Sequence, residues 1–65
     1  MQGCYRDFRV VETEWGYYVQ GLWKNSNKWY NVIEYSFGSR ETAERAMNEL
    51  YHDKRYYIGG EKDEK

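Results

Sequence analysis

The chain has 65 residues, with ten basic and eleven acidic side chains, a net charge of −1, one cysteine, one histidine, no proline and 20% aromatic residues. That length sustains one small domain, which buries only about 60% of the surface its unfolded chain exposes. The charge balance excludes a global field that would gather nucleic acid or an anionic membrane, and the lone Cys4 and lone His52 exclude an internal disulfide and a zinc-type His/Cys cluster.

No apolar run approaches the roughly 18 residues of a membrane span, and the amino terminus lacks the basic-then-apolar plan of a secretory signal. A free thiol suits a reducing compartment, so the expected location is the cytoplasm. Cores this small rarely supply more than about 3–5 kcal/mol without added help, and heavy aromatic side chains or a partner are the two forms of help open to this chain.

Tyr5 to Thr13 (YRDFRVVET) and Tyr17 to Lys24 (YYVQGLWK) are rich in aromatic and β-branched residues and read as a hairpin around Glu14-Trp15-Gly16. A three-residue loop ending in Gly fits a turn whose last position has positive φ. Asn25-Ser26-Asn27 then marks a second turn, and Trp29 to Phe37 (WYNVIEYSF) a third strand. From Ser39 to Lys54 the period changes to 3.6, with Ala43, Ala46, Met47, Leu50 and Tyr51 on one stripe. Ser39 suits the N-cap, Glu41 the positive end of the helix dipole, and Lys54 and Arg55 the negative end. Glu41, Glu44, Arg45, Asn48 and Glu49 read as a solvated face with i,i+4 pairs through Arg45. Tyr56-Tyr57-Ile58 reads either as a short fourth edge strand or as a packed extension of the helix end. The expected fold class is α+β: a three-stranded antiparallel meander packed against one C-terminal α-helix, one domain over residues 1–58, with residues 59–65 a disordered charged tail that has nothing apolar to bury.

Turn lengths assign the faces. A three-residue first loop and a four-residue loop over Asn25 to Lys28 place Phe8, Val10, Tyr18, Leu22, Trp29, Ile33, Tyr35 and Phe37 on one side. The other side then carries Tyr5, Arg9, Val11, Tyr17, Val19, Gly21, Trp23, Tyr30, Val32 and Glu34. The first set is the more apolar and is expected under the helix. A single helix cannot cover both faces, so Arg9, Val11, Tyr17, Val19, Trp23, Tyr30 and Val32 form the expected partner-binding surface, an aromatic patch of the kind that marks an interaction site.

Chemistry finds little footing in the sequence. His52 lies on the exposed side near the helix end, Cys4 has no histidine or helix start beside it, and no phosphate-cradling glycine loop or metal-ligand cluster occurs. The expectation is a protein that is not an enzyme, with no cofactor, metal, membrane or small-molecule substrate.

The segment Phe37-Gly38-Ser39-Arg40-Glu41-Thr42-Ala43-Glu44-Arg45-Ala46-Met47-Asn48-Glu49-Leu50 (FGSRETAERAMNEL), together with the aromatic-glycine turn at Trp15-Gly16-Tyr17-Tyr18, resembles small uncharacterised phage and prophage β-β-β-α proteins along almost the full chain. A weaker resemblance is to the arm-site-binding, AP2-like domain of tyrosine recombinases, whose sheet enters the DNA major groove. The first resemblance implies a phage-type protein in a bacterial host cell, acting on another protein, such as a host or defence factor that it inhibits, or on its own copy. The second implies a DNA-binding module, and sheet readers need basic residues on the open face. Here that face carries Arg9, with Arg6, Lys24 and Lys28 at its margins against Asp7 and Glu34. Protein binding or homodimerisation through the aromatic sheet face is therefore the expected function, and DNA binding the alternative.

Overall fold

A computed structural model describes residues 3–58; the expected charged tail at 59–65 lies outside the described residues. The fold is α+β, a three-stranded antiparallel sheet in the order β1-β2-β3 with one C-terminal helix. The strands are β1 (Tyr5–Thr13), β2 (Gly16–Trp23) and β3 (Trp29–Asn31), and the helix is α1 (Arg40–Tyr51).

The first hairpin corrects the expected pairing. Thr13 sits opposite Gly16, Val11 opposite Tyr18 and Val10 opposite Val19, so only Glu14 and Trp15 form the loop. The Thr13 hydroxyl closes it, accepting from Trp15 N at 3.1 Å and donating to Gly16 O at 2.9 Å. Gly16 does take a positive φ, 129°, and a Cβ there would stand 2.8 Å from the Phe37 carbonyl. One residue fewer in the loop reverses β2 relative to β1, because side chains alternate along a strand. Tyr17, Val19 and Gly21 therefore lie on the side of Phe8 and Val10, under the helix. Tyr18, Leu22 and Trp29, expected under the helix, lie on the far side with Arg9 and Val11.

The third strand is shorter than the expected Trp29 to Phe37. Val32 N still donates to Val19 O at 3.0 Å, and Phe37 rejoins β2 through reciprocal bonds with Tyr17 at 2.7 and 3.0 Å, but residues 33–36 loop out between them. An unbroken strand would put Ile33 and Phe37 on the face opposite Val32. The excursion lets all three pack on the core, and it leaves Tyr35 outside, 65% exposed.

That core is Phe8, Val19, Ala43 and Leu50, so the helical stripe meets the β1–β2 face. Ser39 caps α1, its side chain accepting from Thr42 N at 3.3 Å. The expected solvated face is exposed throughout, yet Arg45 closes neither i,i+4 pair. Among the described residues the ion pairs are Arg55–Asp53 at 3.0 Å and Arg40–Glu12 at 4.0 Å. The helix stops at Tyr51, three residues before the expected Lys54, with His52 as C-cap. Arg55 lies beyond it in a turn, where it holds the Asp53 carboxyl below the usual carboxylate range.

Tyr56 to Ile58 form no full fourth strand. They make one parallel bridge to β1: Cys4 N and Tyr5 N both donate to Tyr56 O, and Ile58 N donates to Tyr5 O. Further along the same edge Tyr51 takes over. Its hydroxyl accepts from Phe8 N at 3.2 Å and donates to Asp7 Oδ1 at 2.5 Å, while its ring stands edge-on to Phe8 at 5.0 Å. Helix and strand are thus bolted together by one phenol.

Burial first, and then the hydrogen bond to Asp7, push the Tyr51 pKa from 10.0 up to about 12. A raised folded-state value means that the neutral phenol stabilises the fold in full below pH 10.0 and that this contribution is lost as pH rises through about 12. Tyr51→Phe is expected to cost about 1–3 kcal/mol at neutral pH, since the phenol's hydrogen bond to the Asp7 carboxyl is lost, while Phe8 N keeps Asp7 Oδ1 at 2.9 Å. Urea unfolding from pH 8 to 12 should show the wild type losing its advantage over Tyr51→Phe at the alkaline end; a gap that stays constant with pH would contradict this role.

Candidate partner-binding surface

The seven residues expected on one open face are divided by the hairpin register. Arg9 and Val11 are on the far side of the sheet from the helix. Val19 is fully buried in the core, and Tyr17 and Val32 pack against it. Trp23 and Tyr30 are on the helix side as well, but at the end of the sheet that the helix does not reach.

The far face does not present a continuous aromatic patch. Arg9 Nε donates to Gln20 Oε1 at 2.9 Å and Gln20 Nε2 donates to Asn31 Oδ1 at 3.0 Å, a polar ladder across all three strands. The Arg9 guanidinium also lies 4.2 Å from the centroid of the Trp29 ring. Cation and ring cover one another, and the surrounding Val11, Tyr18 and Leu22 are half-buried.

A different aromatic group forms where the helix ends. Arg40 at the start of α1 reaches Glu12 and the Tyr17 ring, and Tyr51 at its end reaches Asp7 and Phe8, so α1 runs antiparallel to β1. Twelve helical residues extend about 18 Å, whereas nine strand residues extend about 30 Å. Beyond the last turn lie Tyr5, Trp23 and Tyr30, which line a cavity of about 320 Å³ open to solvent. The Trp23 ring stands 5.6 Å from Tyr5 at 84° and 6.5 Å from Tyr30 at 82°. Trp23 is thus near-perpendicular to both of its neighbours.

Local sequence explains the corner. A register shift between Tyr5 and Asp7 turns Tyr5 to the side of Phe8, so both rings meet 5.8 Å apart on the helix face. Gly21 makes room for it: a Cβ at that position would fall 2.5 Å from the Tyr5 ring and 2.8 Å from Val32 Cγ2. Burial raises the Tyr5 pKa, helped by neighbouring Cys4, Tyr56 and Tyr30, so the phenol is neutral at pH 7. Tyr5 belongs to the corner and lies outside the partner surface expected from the sequence; its place on the same expected face as Trp23 and Tyr30 was the available signal. A second exposed pair, Trp15 at 73% and Tyr35 at 65%, sits at the opposite end, where Ser36 Oγ donates to Trp15 O.

His52 is exposed at the helix C-cap, Cys4 is a half-buried free thiol, and the described residues contain no group of three or more His, Cys, Asp or Glu able to hold a metal ion. No helix among them is long and apolar enough to cross a membrane. Comparison with protein-family models, with characterised proteins and with solved structures finds no match to the chain.

The register is directly checkable, because Val11 and Val19 change sides with it. Val19→Ser should destabilise by about 2–4 kcal/mol, combining lost burial with a hydroxyl in an apolar site, and Val11→Ser by less than about 1 kcal/mol. Equal costs in urea melts would mean that the pairing is otherwise.

Proposed function

We propose that the chain is a non-enzymatic interaction protein that grips a partner protein at the Tyr5–Trp23–Tyr30 corner. The observation that carries this reading is the convergence of three rings on an open cavity just where the helical cover runs out. Tyr and Trp serve as binding anchors because they bury a large area with little rotamer entropy and keep a polar handle. Tyr30 is 47% exposed and makes no hydrogen bond through its hydroxyl among the described residues, so it is available to a partner.

The alternative of DNA binding by the open sheet face draws less support. Arg9 is held by Gln20 and Trp29, and Arg6 donates to Ser26 O and Asn27 Oδ1, so the two arginines nearest that face are engaged within the chain. Phosphate contacts call for several free cations, and their count sets the salt dependence of binding. The resemblance to small phage proteins supplies the setting we infer, a partner in the cytoplasm of a bacterial host.

The test compares wild type with Tyr30→Ser and Trp23→Ser as baits in host lysate, after far-UV circular dichroism has verified their folding. A protein held by wild type and released about tenfold or more by Tyr30→Ser is the expected result, the size of a single anchor worth at least about 1.4 kcal/mol. Sedimentation across concentration covers self-association: a dimer weakened by the same substitution means that the partner is a second copy. Identical captures by wild type and both variants, with monomers throughout, would overturn the proposal.

A further inference from the structure

The corner is built for a particular shape and charge. A flat ring or a peptide plane needs a parallel slot, but here Tyr5 and Tyr30 both stand nearly at right angles to Trp23. Such walls suit a compact, rounded group. Their faces carry the negative side of the aromatic quadrupole, which attracts a cation. None of the cation–π contacts within the described residues uses these rings: Arg9 lies on Trp29, Arg40 on Tyr17 and Arg55 on Tyr56. The cavity, about 320 Å³, is at the small end of the roughly 300–1,000 Å³ typical of ligand sites, which is room for one side chain. A stable dimer needs about 800 Å² from each partner, far more than these three rings supply.

Two further facts narrow the occupant. Among the described residues the lining includes no carboxylate to replace the water of a bare ammonium, so a cation whose hydration is already weakened by alkylation loses least on entering. Beside the rings, the outer edge of β3 is open. Trp23 N donates to Lys28 O and Val32 N to Val19 O, so even-numbered residues of this segment turn their backbone groups to β2. By alternation Trp29 and Asn31 turn theirs outward, where no backbone partner meets them among the described residues. A strand added on that edge would place the residue facing Tyr30 on the same side as the rings.

We propose that the Tyr5–Trp23–Tyr30 corner is an aromatic box for a methylated ammonium group, presented as a methyl-lysine side chain on an extended segment of the partner that pairs with the β3 edge. The inference rests on the reading of this corner as the partner contact. Charge complementarity between ring faces and a poorly hydrated cation carries it. Lys24 and Lys28, at the start and end of the loop beside the box, work against any cation, so their neutralisation tightens binding.

Titration of the full chain with tetramethylammonium chloride, followed by the indole N–H signal of Trp23, tests the box. Saturable shifts are expected with tetramethylammonium and with a trimethyllysine peptide. Ammonium chloride, the unmodified peptide and the neutral, water-soluble tert-butyl analogue 2,2-dimethylpropanol should bind at least about tenfold more weakly, and Trp23→Leu and Tyr30→Leu should each lower affinity about tenfold while Trp23→Phe retains most of it. Tyr30 is exposed, so the second variant reports on binding even if Trp23→Leu unfolds. Equal binding of 2,2-dimethylpropanol would overturn the proposal, as would absence of tetramethylammonium binding, or capture by phosphatidylcholine vesicles in preference to the peptide. Loss of partner capture in Tyr30→Ser without any tetramethylammonium effect defeats this inference and leaves the partner-contact reading in place; tetramethylammonium binding with capture unchanged in that variant defeats the reading itself.

Discussion

The closure of the first hairpin by the Thr13 hydroxyl is the constraint on which the rest of the molecule depends. By accepting from Trp15 N and donating to Gly16 O, it holds the loop to two residues and sets Val10 against Val19. Every later placement follows from that pairing. Val19 becomes the one completely buried large side chain among the described residues, Gly21 comes to lie against Tyr5, and Tyr17 is carried to the side where Arg40 can cover its ring. A one-residue change in the loop would send all of these to solvent, since the alternation of a strand has no intermediate setting.

A second constraint acts along the sheet. Helix and sheet are joined at two places, Arg40 near Glu12 and Tyr51 on the backbone of Phe8, and those two contacts span nearly the whole of α1. The cover is consequently shorter than what it covers. Tyr57 extends it a little, packing 4.8 Å from Tyr51 and 5.9 Å from Phe8, and the bridge from Tyr57 to Tyr5 closes the β1 edge there. Past that point no element among the described residues remains to shelter Trp23 and Tyr30. Exposed aromatic surface thus arises at one end of the helix-side face, while the opposite face is made tolerable to water by the Arg9–Gln20–Asn31 ladder.

Much of this was legible in the sequence, and the part that was not has a physical reason. The helix announced itself because Ala43, Ala46, Met47, Leu50 and Tyr51 repeat with a period that only a helix satisfies, and the stripe packed on the core is that set. Strand positions were equally readable from β-branched and aromatic runs. Register was not, because Glu14-Trp15-Gly16 is compatible with a two- or a three-residue loop, and the difference is decided by a threonine hydroxyl that composition does not single out. The third strand failed for a related reason. Alternation presumes an unbroken ladder, and Val32, Ile33 and Phe37 reach one core only because the chain abandons the ladder between them. Of the candidate surface, Trp23 and Tyr30 stayed together because the error at the second turn is even. A four-residue loop sets Gly21 opposite Val32, whereas Gly21 in fact pairs with Tyr30, and a shift of two residues leaves every side chain on its own face.

Why a chain this small keeps an exposed Tyr30 beside a half-buried Trp23 at one end is a question about cost. Sixty-five residues bury little apolar surface, and every ring left in the open forgoes stabilisation that the core would use. Gly21 sharpens the point, because a side chain there would fill part of the corner and strengthen the strand, and its absence is what admits the Tyr5 ring. Phe8 and Tyr51 are locked edge-to-face beneath the last helical turn, whereas Trp23 and Tyr30 hold a similar edge-to-face geometry with Trp23 half-buried and Tyr30 exposed. Packing explains the first pair by itself. The second pair keeps the edge-to-face order of a packed cluster at the end of the sheet that α1 does not reach, which is the physical content of the proposal made for it.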